Sequence, residues 1–550
     1  MKSMKSLALV TAFALYSIGS FAQSCFPDGL TLLSQAEVDA FAVDNPDCTE
    51  IEGELNIGDI FGDTDIQNLD GLSNITSIGG NVTIVNNEEL TSMSGLNSLT
   101  SIGGSLKIQN NQEITTLEGF SSLQSLGGWL SIFNNNGLSD LQGLEGLTEV
   151  PGILELNANH GLLTLDGLGN ITSVGDDFTI THHSVLTSLE GLSSLTNIDG
   201  NLVIFNNNAL QNLNGLDGLT EIGVNFSIQN NNQLQSLSGC DQLVTVHGGF
   251  GIIANQSLTT LDALENLETV VGIMGIEGNP LLQNLEGPSS LTTIGSSLHI
   301  ESNFSLETCA GMESIETIGG GLTLQANPQL TDVTAFSQVT ELGGSLTISN
   351  NTILEDLSGL DAITSVGNGM IILVNPMLES LEQLSNLTAI GGELMITLNG
   401  SLTSLWGLEN IDPESISDLT ITDNQLLEYC HVQSICSYLD VESNPSEILG
   451  NEAPCGSRTQ IEEACIDISV AEADKSQIAV YPNPVSDVLK VQGTDPEQSI
   501  TLYNLMGEKL ASSTSGGKRA EINFSVFSSG IYFLRISNGE TVETFRVVKE

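Results

Sequence analysis

Between residues 79 and 391, apolar and polar positions recur every 24 residues without an insertion. The unit is legible in Ser77-Ile78-Gly79-Gly80-Asn81-Val82-Thr83-Ile84-Val85-Asn86-Asn87-Glu88-Glu89-Leu90, followed by Met93, Gly95, Leu96 and Leu99. A fixed period of this size predicts a solenoid, in which each unit buries its apolar face only against its neighbours. One row reads Ile84, Ile108, Ile132, Leu156, Ile180 and Ile204, and stays aliphatic as far as Ile396. Val82 and Ile84 alternate with Thr83 and Val85, which is the period of a short strand with one face inward. Leu90, Met93, Leu96 and Leu99 supply the other inward spokes. Gly79, Gly103, Gly127, Gly175 and Gly223 mark a corner that needs either positive φ or close backbone approach.

A second row is polar and just as regular: Asn87, Asn111, Asn135, Asn159, Asn207, Asn231, Asn255, Asn279, Asn303, Asn327, Asn351, Asn375 and Asn399, interrupted only by His183. An inward amide at a corner satisfies backbone groups that the turn leaves open and bonds the coils above and below. These asparagines are therefore expected to be structural.

The pattern also shows its ends. Ser34-Gln35-Ala36-Glu37 is a capping box that opens a short helix through Phe41. Glu54-Leu55-Asn56-Ile57 is a first coil, followed by a three-residue insertion around Asp59 to Asp65. One residue is inserted near Pro413. The pattern resumes at Leu419, Ile421, Asn424, Leu427 and Cys430, and 438–441 reads as a last, degenerate strand. About sixteen coils at ~4.8 Å make a rod roughly 75 Å long. After Cys465 short alternating strands take over, at 488–491, 499–504, 521–524, 530–536 and 544–548. They predict a small antiparallel β-sandwich. The fold class is thus mainly β.

Charge changes the picture of function. The 550 residues carry 68 Asp+Glu against 12 Lys+Arg, a formal net charge of −56. Between residues 51 and 445 Lys107 is the only Lys or Arg, against 47 acidic residues. Such a surface repels phosphate backbones and anionic lipid, so nucleic acid is excluded as a partner and a neutral, cationic or metal-bridged one is expected. Basic residues return at Arg458 and from Lys475 to Lys549. Removing 1–22 leaves the charge at −58, because Lys2 and Lys5 leave with it.

Residues 1–22 read as a secretory signal, with Lys2 and Lys5, an apolar run from Leu7 to Ile18, and Ser20-Phe21-Ala22 before cleavage. No later run is long enough for a transmembrane segment. In an exported chain Cys25, Cys48, Cys430, Cys436, Cys455 and Cys465 are disulfide candidates, with connectivity open. The repeat register places Cys240 and Cys309 three coils apart, about 14 Å, too far to be bridged.

Two resemblances follow from quoted motifs. Cys48-Thr49-Glu50-Ile51-Glu52-Gly53-Glu54-Leu55-Asn56-Ile57 and the recurring Leu-x-x-Ile-Gly-Gly-x-Leu-x-Ile-x-x-Asn-x-x-Leu resemble the receptor L-domain family over about 25–465. That resemblance implies a right-handed β-helix/LRR-like solenoid of about sixteen 24-residue coils. Family members on receptors bind protein ligands through the sheet face; the hormone-binding role does not transfer to a longer array without a kinase part. Tyr481-Pro482-Asn483-Pro484, Leu502-Tyr503-Asn504 with Gly507, Gly530-Ile531-Tyr532 and the closing Phe545-Arg546-Val547-Val548-Lys549 resemble the type A sorting domain of the type IX secretion system of Bacteroidota. This implies translocation across the outer membrane by the type IX machinery, removal of the domain, and release or surface attachment. The expected organisation is a signal peptide at 1–22, an N-terminal cap with a short helix at 23–50, the solenoid at 51–446, a Cys-containing cap and linker at 447–477, and the sorting domain at 478–550. Tyr481, Pro482, Asn483, Pro484, Gly530, Tyr532 and Lys549 carry the sorting motif.

Candidate chemistry is sparse. Lyases on parallel β-helices use Arg or Lys, and Lys107 alone is a poor substitute. Glycosidases need two carboxylates, which are plentiful, but no repeat-breaking loop builds a cleft. His160, His182 and His183 fall on neighbouring coils as a weak metal candidate, and Asp59, Asp63 and Asp65 as one for calcium. The outward strand face is the candidate ligand surface, through Phe133, Phe205 and Ile253 and an apolar group at Ile371, Leu373 and Met395. The expectation is a non-catalytic extracellular or surface-attached scaffold for protein or glycan binding or adhesion; the alternative is an extracellular glycan-processing enzyme on a β-helix scaffold.

Overall fold

The computed structural model describes residues 23–473, 479–481, 483–492, 498–504, 508–514, 519–537 and 542–549. The expected signal segment and Pro482 lie outside them. The chain divides between Ile461 and Glu462 into two compact units.

The first unit is a solenoid. Its principal sheet is an open parallel ladder of eighteen strands, from Leu30–Leu32 to Ser446–Leu449. Successive strands pair at the repeat offset, Val82 with Leu106 and Ile84 with Ile108. The ladder absorbs the insertions where the sequence places them, with Leu55 facing Val82 and Leu394 facing Leu419. Val82, Ile84 and their equivalents are fully buried, as are Leu90, Leu96 and Leu99. Two-residue strands such as Ser101–Ile102 and Ser125–Leu126 build narrower parallel ladders beside the main one.

The coil count exceeds the expected sixteen. Leu30–Leu32 adds a strand ahead of Leu55–Ile57, and Ser446–Leu449 closes the far end. The last strand is therefore not 438–441. Tyr438 and Leu439 end a helix, Gln433–Leu439, whose buried Ile435, Tyr438 and Leu439 fall at i, i+3 and i+4, the helical period, and Asp440 and Val441 form the turn that follows. At the other end a helix spans Gln35–Asp44, with Ser34 Oγ accepting the Glu37 N–H at 3.4 Å and Val38 and Phe41 buried.

The positive-φ corner is not the Gly79 row. Glycine is needed there for close approach, since a Cβ at Gly103 would collide with the Gly79 carbonyl oxygen. The left-handed position is the residue before each ladder asparagine: Asn86 at 53°, Asn110 at 55°, and even Val374 at 57° and Leu398 at 60°. A branched or bulky residue there is strained. The turn is retained because it aims the next side chain inward.

A second turn, at the Gly95 row, takes two forms. At Gly95, Gly119 and Gly191 it is a 3-10 turn. At Gly167 (112°) and Gly287 (143°) the glycine is left-handed, as it is at Gly143, Gly215, Gly239, Gly311, Gly359 and Gly407, where φ lies between 104° and 115°. In each of these six coils a carboxylate two residues on, Glu145, Asp217, Asp241, Glu313, Asp361 or Glu409, accepts the glycine N–H at 2.6 to 3.1 Å.

Arg458 closes the C-terminal end. Its guanidinium donates to the carbonyl oxygens of Asn444 (2.8 Å), Leu439 (2.7 Å) and Val441 (3.1 Å) and to Ser446 Oγ (3.3 Å). The second unit contains a three-stranded and a four-stranded antiparallel sheet. They enclose a core that includes Leu489, Val491, Ile500, Leu502, Phe524 and Leu534.

Candidate functional site

The long strands place the candidate ligand residues on the outward face. Phe133, Phe205, Ile253, Ile371, Leu373 and Met395 are all half-buried there. Ile371 faces Met395, and Leu373 follows Ile371 by two residues on the same strand. Phe205 packs edge-on against His182 at 5.1 Å between ring centres. The aromatic positions 133 and 205 are three coils apart, so this face holds separate apolar patches. Between them and the C-terminal patch lies a floor of Gly251 and Gly275 on adjacent strands. Glu277, His299 and Glu301 border it: Glu277 faces Glu301, and His299 Nδ1 lies 3.1 Å from Glu301 Oε1. Burial and the Glu301 charge push the Glu277 carboxyl upward, while His299 opposes them.

The other candidates have different surroundings. His183 is buried, and its two ring nitrogens each lie 3.1 Å from a carbonyl oxygen, those of Asn159 and Leu156. His160 is exposed and His182 faces Phe205, so the three do not converge on one point. Asp59 Oδ1 accepts the Phe61 N–H at 2.9 Å and Asp65 Oδ1 that of Gln35 at 2.9 Å, so two of the three carboxylates proposed for calcium hold backbone instead. Among the described residues no group of three or more His, Cys, Asp or Glu is placed to hold a metal ion. Cys240 and Cys309 are buried thiols, and burial raises both well above the ordinary thiol range. A thiol in that state is not a nucleophile.

The asparagines from Asn87 to Asn399 are fully buried and joined coil to coil. The Asn87 N–H donates to Asn111 Oδ1 (3.2 Å), while Asn111 Nδ2 donates to the Ile84 and Gln109 carbonyls (3.0 Å each). The same set recurs down to Asn399, Asn424 and Asn451. Cys25 is bonded to Cys48 and Cys430 to Cys455, and Cys436 and Cys465 are also disulfide-bonded.

In the second unit the motif residues tie the chain ends together. Asn483 Nδ2 donates to the Arg546 carbonyl and its Oδ1 accepts the Val548 N–H, both at 2.8 Å. Tyr481 OH donates to Gln492 Oε1 (2.8 Å) and Tyr532 OH to the Ser528 carbonyl (2.6 Å). Gly530 faces Lys549 across the last pair of strands. An apolar slot of about 440 Å³ runs beside Leu510, Ile522, Val526 and Phe527.

One further group of side chains lies off the strand face. Trp406, Tyr429 and His431 stack at a turn near the C-terminal end, with ring centres 5.6 Å and 4.2 Å apart. The signal was present in the sequence as an aromatic departure from rows that are polar elsewhere.

The family model of the receptor L domain matches residues 47–105, and that of the secretion system C-terminal sorting domain matches 479–550. A search of the curated proteins finds no match to the chain. The fold and tail together define the class: a mainly β solenoid protein carrying a sorting domain. The chain is similar to the receptor L domain in its early coils, and the same register continues to the end of the ladder. The type IX sorting domain indicates export to an extracellular or cell-surface location and engagement with that secretion machinery. Among the described residues no helix is long and apolar enough to cross a membrane.

Proposed function

We propose that the exported chain is a non-catalytic scaffold for binding or adhesion, with an extracellular protein or glycan as its ligand. The uninterrupted eighteen-strand ladder carries this reading. It offers a long outward face with scattered apolar patches and no loop large enough to build a cleft, whereas active sites favour such loops. The domain limits proposed from the sequence suit this role, with a removable tail after a self-capped rod. The purified rod should retain whole cells or extracellular matrix on a coated surface and release no sugar from polysaccharide. Turnover of any polysaccharide would overturn the reading.

One observation favours the alternative of glycan processing. Glu277 and Glu301 lie on adjacent strands over the Gly251–Gly275 floor, with Glu277 pushed upward. A carboxyl with a raised pKa beside a second carboxyl is one ingredient of a glycosidase pair. Reducing-sugar release abolished by both Glu277→Gln and Glu301→Gln would establish it.

A further inference from the structure

Three neighbouring positions near the C-terminal end break the repeat in the same direction. The Trp406 row elsewhere holds small, polar or acidic side chains, with Ala310, Thr334, Ser358 and Glu382 in the four preceding coils. The Tyr429 row elsewhere holds Ser, Thr, Asn or Asp, whose side chains accept the N–H two residues on. Asp332 does so for Thr334 (2.8 Å) and Ser404 for Trp406 (3.0 Å). Tyr429 forgoes that bond. His431 stands in the Trp406 row one coil on.

The rings are fixed relative to one another by the ladder. The Leu405 N–H donates to the Tyr429 carbonyl at 2.8 Å, and Ser404 bridges to Tyr429. Trp406 and Tyr429 are inclined by 28°, close to parallel. Trp406 nevertheless leaves 48% of its surface in water. Core filling therefore does not explain it, and a flat indole face is presented on a rigid mount.

The electrostatic setting is one-sided. Glu382 occupies the same row one coil back and is exposed. Glu409 lies three residues on, its carboxylate held by the Gly407 N–H at 2.6 Å, and Glu428 precedes Tyr429. No Lys or Arg occurs between Lys107 and Arg458. Burial lowers the pKa of His431, which disfavours the charged ring that would repel a cation.

We propose that the Trp406–Tyr429–His431 platform docks an arginine-bearing segment of a partner protein, the guanidinium stacking on Trp406 beside Glu382 and Glu409. This deepens the binding-scaffold reading and rests on it. Trp is the best aromatic acceptor for a cation, and guanidinium both stacks and pairs with carboxylate. The charge complementarity distinguishes this partner from a neutral glycan, which an aromatic face alone would also accept.

The test uses the full chain and a fluorescein-labelled peptide of alternating Gly and Arg, beside its citrulline counterpart, which keeps the shape without the charge. Trp406→Leu retains apolar bulk and removes the π face. Trp129→Leu, at the other tryptophan, is the control for bulk charge. We expect Trp406→Leu to weaken the Arg peptide about two- to thirty-fold at physiological salt, Glu382→Gln to weaken it as well, and Trp129→Leu to leave it unchanged. Melting temperature should be unaltered in all three. Equal binding by the Trp406→Leu and Trp129→Leu variants overturns the proposal, as does equal binding of the citrulline peptide. Trp406-dependent capture of cellohexaose without the Arg peptide also overturns it, in favour of glycan. None of these touches the scaffold reading, which falls on polysaccharide turnover.

Discussion

Replacing His183 by Asn should stabilise the solenoid, and more so in acid. Every other inner corner position from Asn87 to Asn399 supplies two donors and an acceptor. At coil 183 the chain's own N–H still reaches Asn207 Oδ1 at 3.1 Å. The imidazole, however, has no oxygen to accept the Asn159 N–H, as Asn159 Oδ1 accepts that of Asn135 at 2.8 Å. Both ring nitrogens instead face carbonyl oxygens at 3.1 Å. A neutral imidazole has one N–H, so one contact sets a lone pair against a lone pair. The variant restores a donor to the Leu156 carbonyl, matching the 2.8 Å bond of Asn207 to Ile180. It also restores the acceptor for Asn159. One imidazole bond is exchanged for two amide bonds; satisfying the buried Asn159 N–H recovers about 1–3 kcal/mol, which less about 1 kcal/mol for the smaller side chain's packing leaves a net gain of about 1 kcal/mol.

The pH dependence follows from burial. Desolvation is the largest effect on His183 and lowers its pKa, the carbonyls of Asn159 and Leu156 oppose it, and charge on His160 or His182 adds to the lowering. The unfolded chain then binds a proton that the folded one resists. Folded stability is lost as pH falls below the ordinary histidine value of about 6.5 and on through the lowered folded pKa. His183→Asn removes that loss, so the gap between variant and parent should widen from pH 7.5 to pH 5.5. Because coils open locally, hydrogen exchange at Asn159 and its neighbours is the sensitive assay, with denaturant melts beside it. A variant no more stable than the parent at pH 7.5, or a gap that does not grow on acidification, would refute the reasoning.

Asn207→Ala should cost about 2–4 kcal/mol, because the buried His183 N–H and Ile180 carbonyl both lose their partner; unchanged exchange around 180–207 would contradict it. Cys240 and Cys309 should resist alkylation at pH 8 in the folded protein and react fully in denaturant, and rapid native labelling would show the coils open there. Arg458→Ala should loosen 439–446 in hydrogen exchange, and Arg458→Lys should not restore it, since an ammonium cannot span four acceptors. Gly359→Ala should destabilise its coil by about 1–3 kcal/mol, because φ of 108° is strained for any Cβ; a neutral result would mean the turn switches freely to the 3-10 form.

The inward rows made the solenoid legible because stacking admits almost no variation where a side chain is enclosed on both sides. The features that escaped are those whose signal is local or polar. The helix Gln433–Leu439 was hidden by a strand-like composition, although its apolar spacing was helical. The left-handed corner carries Asn, Ala, Ser, His, Gly, Asp, Val or Leu, so no residue type announces it. The strand Lys509–Thr514 is mostly exposed on both faces and has no alternation to read. The aromatic stack lies off the strand face, at a turn where single residues, Trp406 and Tyr429, depart from their rows without any periodic signal.

The acidity of the coils also has a cause inside the fold. With Lys107 as the only Lys or Arg in 51–445, coil-to-coil contact cannot rely on ordinary salt bridges. Amides take their place, in the buried ladder and outside it, where Asn110 bonds Asn86 and Asn134 bonds Asn110 at 2.8 Å. Turns likewise need acceptors for exposed N–H groups, and a carboxylate is the strongest available. Six carboxylates serve six of the eight left-handed glycines in this row, all but Gly167 and Gly287. Asp140, Asp332 and Asp356 cap the preceding turn by accepting the N–H two residues on, and the Thr334 side chain, with that backbone bond beside it, holds the Asp332 carboxyl below its usual range. Coil 263 shows the dependence in reverse: it has Glu265 in the acceptor row but Ala263 in place of glycine, and it stays in the 3-10 form. Part of the negative charge is therefore turn chemistry, repeated because the turn is repeated. It attracts cations along the whole rod without selecting among them, so selectivity has to arise where a coil departs from the repeat.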